Sequence, residues 1–320
     1  MAIQTFATYE DLFNTTMALY REQKYPEVLD LLTAEGPRFP EHASMILYLR
    51  SCMAARAGLP EHAIQILTEA VDRGFWYGAE TMRQSPAWIN LQGDPEFERL
   101  AAICIDRQVD AVQDPKIFTL SPDSDDPLPV FFALHGNGDS GLNTLYGWNA
   151  VIDLGWLLVA PQSAQAESSD GYIWNDQAIS LRQLVDQFHG LRQEYTIDES
   201  RVVGVGFSMG GETVLRLALT GPVPMKGFLL LGPGGPTIDD AEEWLAAIRE
   251  AKGRNLRGYV LLGEKDDAVP HEQVRRLVDM LNQHNIPCQL EVVPGLRHEY
   301  PREAEPILRR ALAFIEGTHQ

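Results

Sequence analysis

The sequence predicts an α/β fold, a mostly parallel sheet flanked by helices, preceded by an all-α domain. Three observations carry this. Up to about residue 113, apolar side chains recur only at helical spacing. Beyond it, short uninterrupted apolar runs alternate with helix-like stretches. Between the two lies "QDPKIFTLSPDSDDPLP", crowded with Pro, Asp and Ser, which reads as loop or linker. The domains are therefore placed at 1–113 and 114–320. A chain of 320 residues with 45% apolar content has the length and the material for two cores.

The first half repeats itself. Leu12, Ala18 and Leu19, then Val28, Leu29, Leu31 and Leu32, fall at helical spacing, as do Met45, Leu47, Leu49, Met53, Ile64, Ile66, Leu67 and Val71. "REQKYPEVLDLL" and "ARAGLPEHAIQIL" are two copies of one phrase, with Pro26 and Pro60 standing 34 positions apart. A proline suits the first turn of a helix, where its missing N–H has no intrahelical acceptor to lose. Gly58 is placed to end the helix before it. The period and the small residues Ala54, Ala63 and Ala70 resemble tetratricopeptide repeats. That resemblance implies paired helices and a surface for a protein partner. A generic helical bundle is the plainer alternative.

In the second half, "PVFFALHG", "GWLLVAPQ", "RVVGVGF", "KGFLLLGP", "RGYVLLGE" and "CQLEVVPG" each read as a buried strand. "KIFTLSP" is expected to add an edge strand. Helices are expected at about 177–194, 209–220, 239–252, 271–284 and 301–316. Strands apolar along their whole length, separated by helices, predict a parallel sheet covered on both faces. Chemistry in such a sheet belongs at the C-terminal ends of its strands.

At one such end stands "GVGFSMGGET". Gly206-x-Ser208-x-Gly210 is a common string and weak alone. Its context is stronger, because a serine wedged between a buried strand and a helix takes a strained backbone that presents its hydroxyl. The helix N-terminus beneath it favours developing negative charge. A serine that merely caps the helix is the bland alternative. A nucleophilic serine also needs a base, and the base an orienting acid.

"GFSMGG", "GEKDDAVP" and "PGLRHEYP" occur in that order, each just after a predicted strand. They resemble the nucleophile, acid and histidine segments of the α/β-hydrolase superfamily. The resemblance implies Ser208 as nucleophile, His298 as base and Asp266 as orienting acid, with the adjacent Asp267 an open alternative. "LHGNGDSG", residues 134–141, resembles the oxyanion loop of the carboxylesterase/phospholipase group. It implies that backbone N–H groups of Met209 and Asn137, or less readily Gly138, meet the developing oxyanion. The implied activity is that of a serine hydrolase on small carboxylic esters, needing no cofactor or metal. Short peptides or amides are an alternative substrate class for the same triad. A repeat scaffold with a vestigial hydrolase half is a second alternative. Trp148, Tyr172 and Trp174 are candidates for a pocket lining, with ordinary packing of loop aromatics as an equal alternative.

The same loop satisfies G-x-G-x-x-G through Gly136, Gly138 and Gly141. A dinucleotide site would need a helix after it and an acidic residue ending the next strand. That strand ends in Pro161 and Gln162, and "LNTLYGWN" is a poor helix former. The dinucleotide reading is therefore rejected. The connection between "FLLLGP" and "RGYVLLGE" holds one helix, with no room for the cap many family members carry there. The helical domain is expected to take that role.

Composition excludes several other classes. A net charge of −19 without any basic run argues against a nucleic-acid partner. Cys52, Cys104 and Cys288 are too few and too scattered for a disulfide framework or a metal site. "MAIQTFATYEDLF" lacks the basic start and apolar core of a secretory signal, and no window has the length of a membrane span. The expected location is cytoplasmic.

Overall fold

The computed structural model describes residues 6–111 and 115–318, so the expected domain boundary between 113 and 114 lies outside the described residues. The chain forms two compact units. The first runs to residue 112 and also takes in Ala166–Asp170, a segment the sequence reading assigned to the second half.

The first unit is helical: α1 (Tyr9–Arg21), α2 (Tyr25–Glu35), α3 (Ala43–Arg56), α4 (Pro60–Asp72), α5 (Ala79–Gln84) and α6 (Pro95–Asp110). Its helix starts are written in the sequence. Thr8 caps α1 by accepting from Asp11 N–H, and Asp94 caps α6 by accepting from Glu96 and Phe97 N–H. Pro26 and Pro60 sit in the first turns of α2 and α4. Helices adjacent in sequence lie side by side from α1 to α4, and α6 packs on α4 and α5. Their shared core holds Leu12, Leu32, Leu67, Trp88 and Phe97. The Trp88 indole N–H donates to the Ser51 hydroxyl, which donates to the Ala63 carbonyl, so the buried polar atoms at the centre are paired. Ala166–Asp170 is held here by backbone polarity: Gly78 N–H donates to Glu167 O at 2.7 Å and the Gln108 amide donates to Ala166 O.

The second unit contains β1 (Ile117–Leu120), β2 (Leu128–Leu134), α7 (Gly141–Gly147), β3 (Leu157–Pro161), the two-residue strands β4 (Gln165–Ala166) and β5 (Tyr172–Ile173), and α8 (Gln177–Glu194). It continues with β6 (Ile197–Phe207), α9 (Met209–Thr220), β7 (Gly227–Leu231), α10 (Leu245–Glu250), β8 (Arg257–Gly263), α11 (His271–Gln283), β9 (Cys288–Val293) and α12 (Ala304–Glu316). The main sheet has seven strands in the order β1-β3-β2-β6-β7-β8-β9. The edge strand β1 runs antiparallel to β3, and every other pairing is parallel.

Why the strands are apolar throughout follows from their two-residue period. In β2, Phe132 and Leu134 enter a core with Val214 and Phe228, while Phe131 and Ala133 enter the opposite one with Leu229 and Leu308. Helices cover both faces, so neither set meets water. One expectation is corrected. "LNTLYGWN" does begin in a helix, α7, because the Ser140 hydroxyl accepts from Asn143 N–H and offsets the weak propensity that follows.

Candidate active site

Five strand ends, those of β2, β6, β7, β8 and β9, meet at the sheet's C-terminal edge. Ser208 follows β6 and stands as the N-cap of α9 with φ 51° and ψ −123°. A non-glycine residue at positive φ is strained, typically by about 1–3 kcal/mol. The flanking glycines are set by close approach. A Cβ on Gly206 would collide with Gly210 O, and one on Gly210 would collide with His135 O. The G-x-S-x-G spacing is thus the spacing at which the strand, the turn and the backbone after β2 can interlock.

Asp266 follows β8 and His298 follows β9. Their two loops are tied by backbone bonds, Glu264 N–H to Val293 O and Lys265 N–H to Leu296 O, both at 2.9 Å. The result is that His298 Nδ1 lies 2.9 Å from Asp266 Oδ2. The Asp266 side chain is 1% exposed, whereas Asp267 faces outward. Ala268 N–H donates to the other oxygen, Asp266 Oδ1, which fixes the carboxylate plane. The imidazole packs on Phe207, ring centroids 4.7 Å apart, and Phe207 in turn packs on Tyr300 at 4.9 Å.

The loop after β7, Gly232-Pro-Gly-Gly235, brings the three together. A Cβ on Gly232 would lie 2.8 Å from Asp266 Oδ2 and 3.1 Å from His298 Nδ1. A Cβ on Gly234 would lie 3.6 Å from Ser208 Oγ and 3.1 Å from Val269. The structure thus gathers Ser208, Asp266 and His298 around a strip of chain that carries almost no side chains. Gly234 N–H donates to Ser208 O, and Ser208 N–H donates to Leu231 O. Farther along, buried Glu212 accepts from Thr237 N–H, and Arg216 lies 3.6 Å from Glu212 and over the Trp244 ring. Sequence reading missed Phe207, Tyr300, Glu212 and this loop. "GPGG" directly after a predicted strand was the available signal for the last.

The loop expected to hold the oxyanion follows β2. Gly138 N–H is spent on Tyr172 O at 2.9 Å, while Asn137 is exposed. Met209 N–H is the first of α9 and has no intrahelical acceptor. His135 is fully buried behind the loop. Its Nδ1–H donates to Gly136 O at 2.8 Å and its Nε2 accepts from Ser163 N–H at 3.1 Å. Burial lowers its pKa to about 4, so the ring is neutral, as that bonding requires. Trp174 donates its indole N–H to His135 O. Trp148 and Trp174 are wholly buried, and Tyr172 is nearly so. They build the scaffold behind the loop, which corrects the expectation that they line a pocket. Among the described residues, no group of three or more His, Cys, Asp or Glu is placed to hold a metal ion.

Residues 155–318, about half of the chain, match the model of the phospholipase/carboxylesterase family. The chain belongs to the phospholipase/carboxylesterase family. Residues 8–112 match a second model, the A/B hydrolase-like N-terminal domain, so this member carries a helical unit that has its own relatives. A protein described as uncharacterized, from Bacillus cereus ATCC 10987, is 27% identical over 98% of this chain and 100% of its own, with a TM-score of 0.55. Esterase PE8 is 19% identical and covers 62% of this chain and 100% of its own, at a TM-score of 0.52. Est1E from Butyrivibrio proteoclasticus, solved with ferulic acid bound, is 13% identical over 63% of this chain and 94% of its own, at 0.51. These likenesses show the α/β-hydrolase fold. Among the described residues, no helix of this family member is long and apolar enough to cross a membrane.

Proposed function

We propose that this family member is a serine hydrolase of small carboxylic esters. Ser208 Oγ attacks the acyl carbon while His298 Nε2 takes the hydroxyl proton. Asp266 holds the opposite ring nitrogen and stabilises the imidazolium that forms. The tetrahedral oxyanion sits against the N–H groups of Met209 and Asn137, each such donor lowering the barrier by about 3 kcal/mol. Collapse expels the alcohol, which takes its proton from His298. Water activated by the same imidazole then releases the acid. The observation that carries this reading is the strained Ser208 facing the same glycine strip as the hydrogen-bonded pair of buried Asp266 and part-exposed His298. The family's description supports an ester as substrate. That strip also leaves the space beside Ser208 Oγ walled by Gly234 and Val269, which favours a compact acyl or alcohol group.

The test is labelling by a fluorophosphonate probe, followed by turnover of a short series of p-nitrophenyl esters. The expected result is stoichiometric labelling that Ser208→Ala abolishes. Asp266→Asn is expected to lower kcat by on the order of 10³–10⁴, because the imidazole then takes the wrong tautomer. Asp267→Asn should stay within about threefold of wild type, as expected of an outward-facing carboxylate. A folded wild type that takes no label overturns the reading and leaves the helical unit's partner as the protein's business.

A further inference from the structure

The helical unit contains a cavity of about 330 Å³, within the range of small-molecule sites. Its walls come from α1, α2, α3 and the turn after α5, and Met17, Val28, Leu49, Met53 and Ala87 make them mostly apolar. Tyr20, Tyr48 and Ser85 add hydroxyls to that wall, and two further polar groups stand out in it. Arg56, also in the lining, holds its guanidinium 5.6 Å and 5.7 Å from the rings of Tyr20 and Tyr25. Among the described residues it forms no ion pair with a carboxylate. Thr16 is 1% exposed, and its hydroxyl has no hydrogen-bond partner. Thr15, Thr33 and Thr68 in this unit return their hydroxyls to the carbonyl four residues back, and Thr81 donates its hydroxyl to the Glu167 carboxylate. Thr16 does neither.

A buried hydroxyl without a partner is costly, and an arginine propped on two aromatic rings without a carboxylate is a preformed anion receptor. The apolar lining asks for a hydrocarbon body. A single arginine, in a chain with net charge −19, matches one negative charge better than two. Cys52 also lines the cavity, but burial raises its thiol to about 12, so it stays protonated and offers no nucleophile. The chemistry here is recognition.

We propose that this cavity binds a carboxylic acid with an unbranched apolar tail, the carboxylate on Arg56 and the tail along Met17, Leu49 and Met53. The proposal does not rest on the catalytic reading.

The probe is decanoate, titrated calorimetrically into the full chain carrying Ser208→Ala, with 1-decanol and decylammonium as controls. Saturable one-to-one binding of decanoate is expected, with decylammonium excluded. Arg56→Met should weaken decanoate by about tenfold or more, the loss of one charge-assisted contact, and leave decanol within about twofold. Leu49→Trp should fill the cavity and abolish binding of both. Met17→Phe, in the α1 wall, serves if Leu49→Trp shifts the melting temperature or the far-ultraviolet spectrum. No saturable binding overturns the proposal. So does binding that Arg56→Met and the filling variants leave unchanged, which would put decanoate at the catalytic edge. Neither result touches the assignment of Ser208, which is read by labelling.

Discussion

Ser208 sits at φ 51° only because β6, α9 and the glycine loop hold it there. The conformation is one that glycine adopts freely and alanine does not. Ser208→Gly is therefore expected to melt higher than Ser208→Ala, by about 1 kcal/mol in stability, while both are inactive. Equal melting of the two variants would mean that the turn stores no strain. His135 makes a second prediction at this scale. Its folded pKa, about 4, lies below the ordinary imidazole value of 6.5, so the unfolded chain binds the extra proton first. Stability from this group is complete above pH 6.5 and is lost as pH falls toward 4, by about 3 kcal/mol in all. Urea unfolding across that range should show His135→Gln starting lower at pH 7.5 and losing less on acidification. Parallel curves would refute the linkage. That Ser208, Asp266 and His298 are the candidates for one site was legible in the sequence, because chain order and strand-end position are one-dimensional facts. The pairing of His298 with Asp266 rather than Asp267 was not, since it depends on which carboxylate the turn buries.

At the scale of elements, the joint between β6 and α9 tolerates no added atom. Gly210→Ala would push a methyl into His135 O, and backbone on both sides leaves little to yield. A loss of about 1–3 kcal/mol is expected from overpacking. Within the proposed function, esterase activity should fall with it, because the displaced neighbour His135 belongs to the loop proposed to hold the oxyanion. A variant as stable and active as wild type would show that the two strands can separate. The same joint explains what the sequence could show. Strands apolar on both faces and helices with clear caps were readable, and α8 and α9 begin and end where periodicity placed them. The start of α7 was not, because a single capping serine outweighed a poor composition. Nor was Glu212 legible as a support. Its role exists only because the chain returns after β7 to offer Thr237 N–H. Nor could periodicity assign Ala166–Asp170 to the helical unit, since hydrogen bonds to its carbonyls from Gly78 N–H and from the Gln108 side-chain amide decide it.

Across the whole molecule, 45 acidic residues face 26 Lys and Arg, a net charge of −19. A field of that sign repels anions at distances set by the ionic atmosphere, about 30 Å at 0.01 M salt and about 8 Å at 0.15 M. Within the proposed activity, an ester bearing a free carboxylate approaches against this field and a neutral ester does not. Raising salt from about 0.01 to 0.15 M should therefore increase kcat/KM for the p-nitrophenyl monoester of a dicarboxylic acid by roughly threefold or more. For a neutral ester of equal length it should barely change. The effect should reside in kcat/KM and leave kcat alone, because the field acts on encounter and is spent once the acyl group is bound. A salt-independent anionic ester would mean that local positive charge at the catalytic edge cancels the global field. A matching rise for the neutral ester would point instead to a general salt effect on the enzyme. The decisive comparison is therefore the ratio of the two substrates at each ionic strength, measured on one preparation.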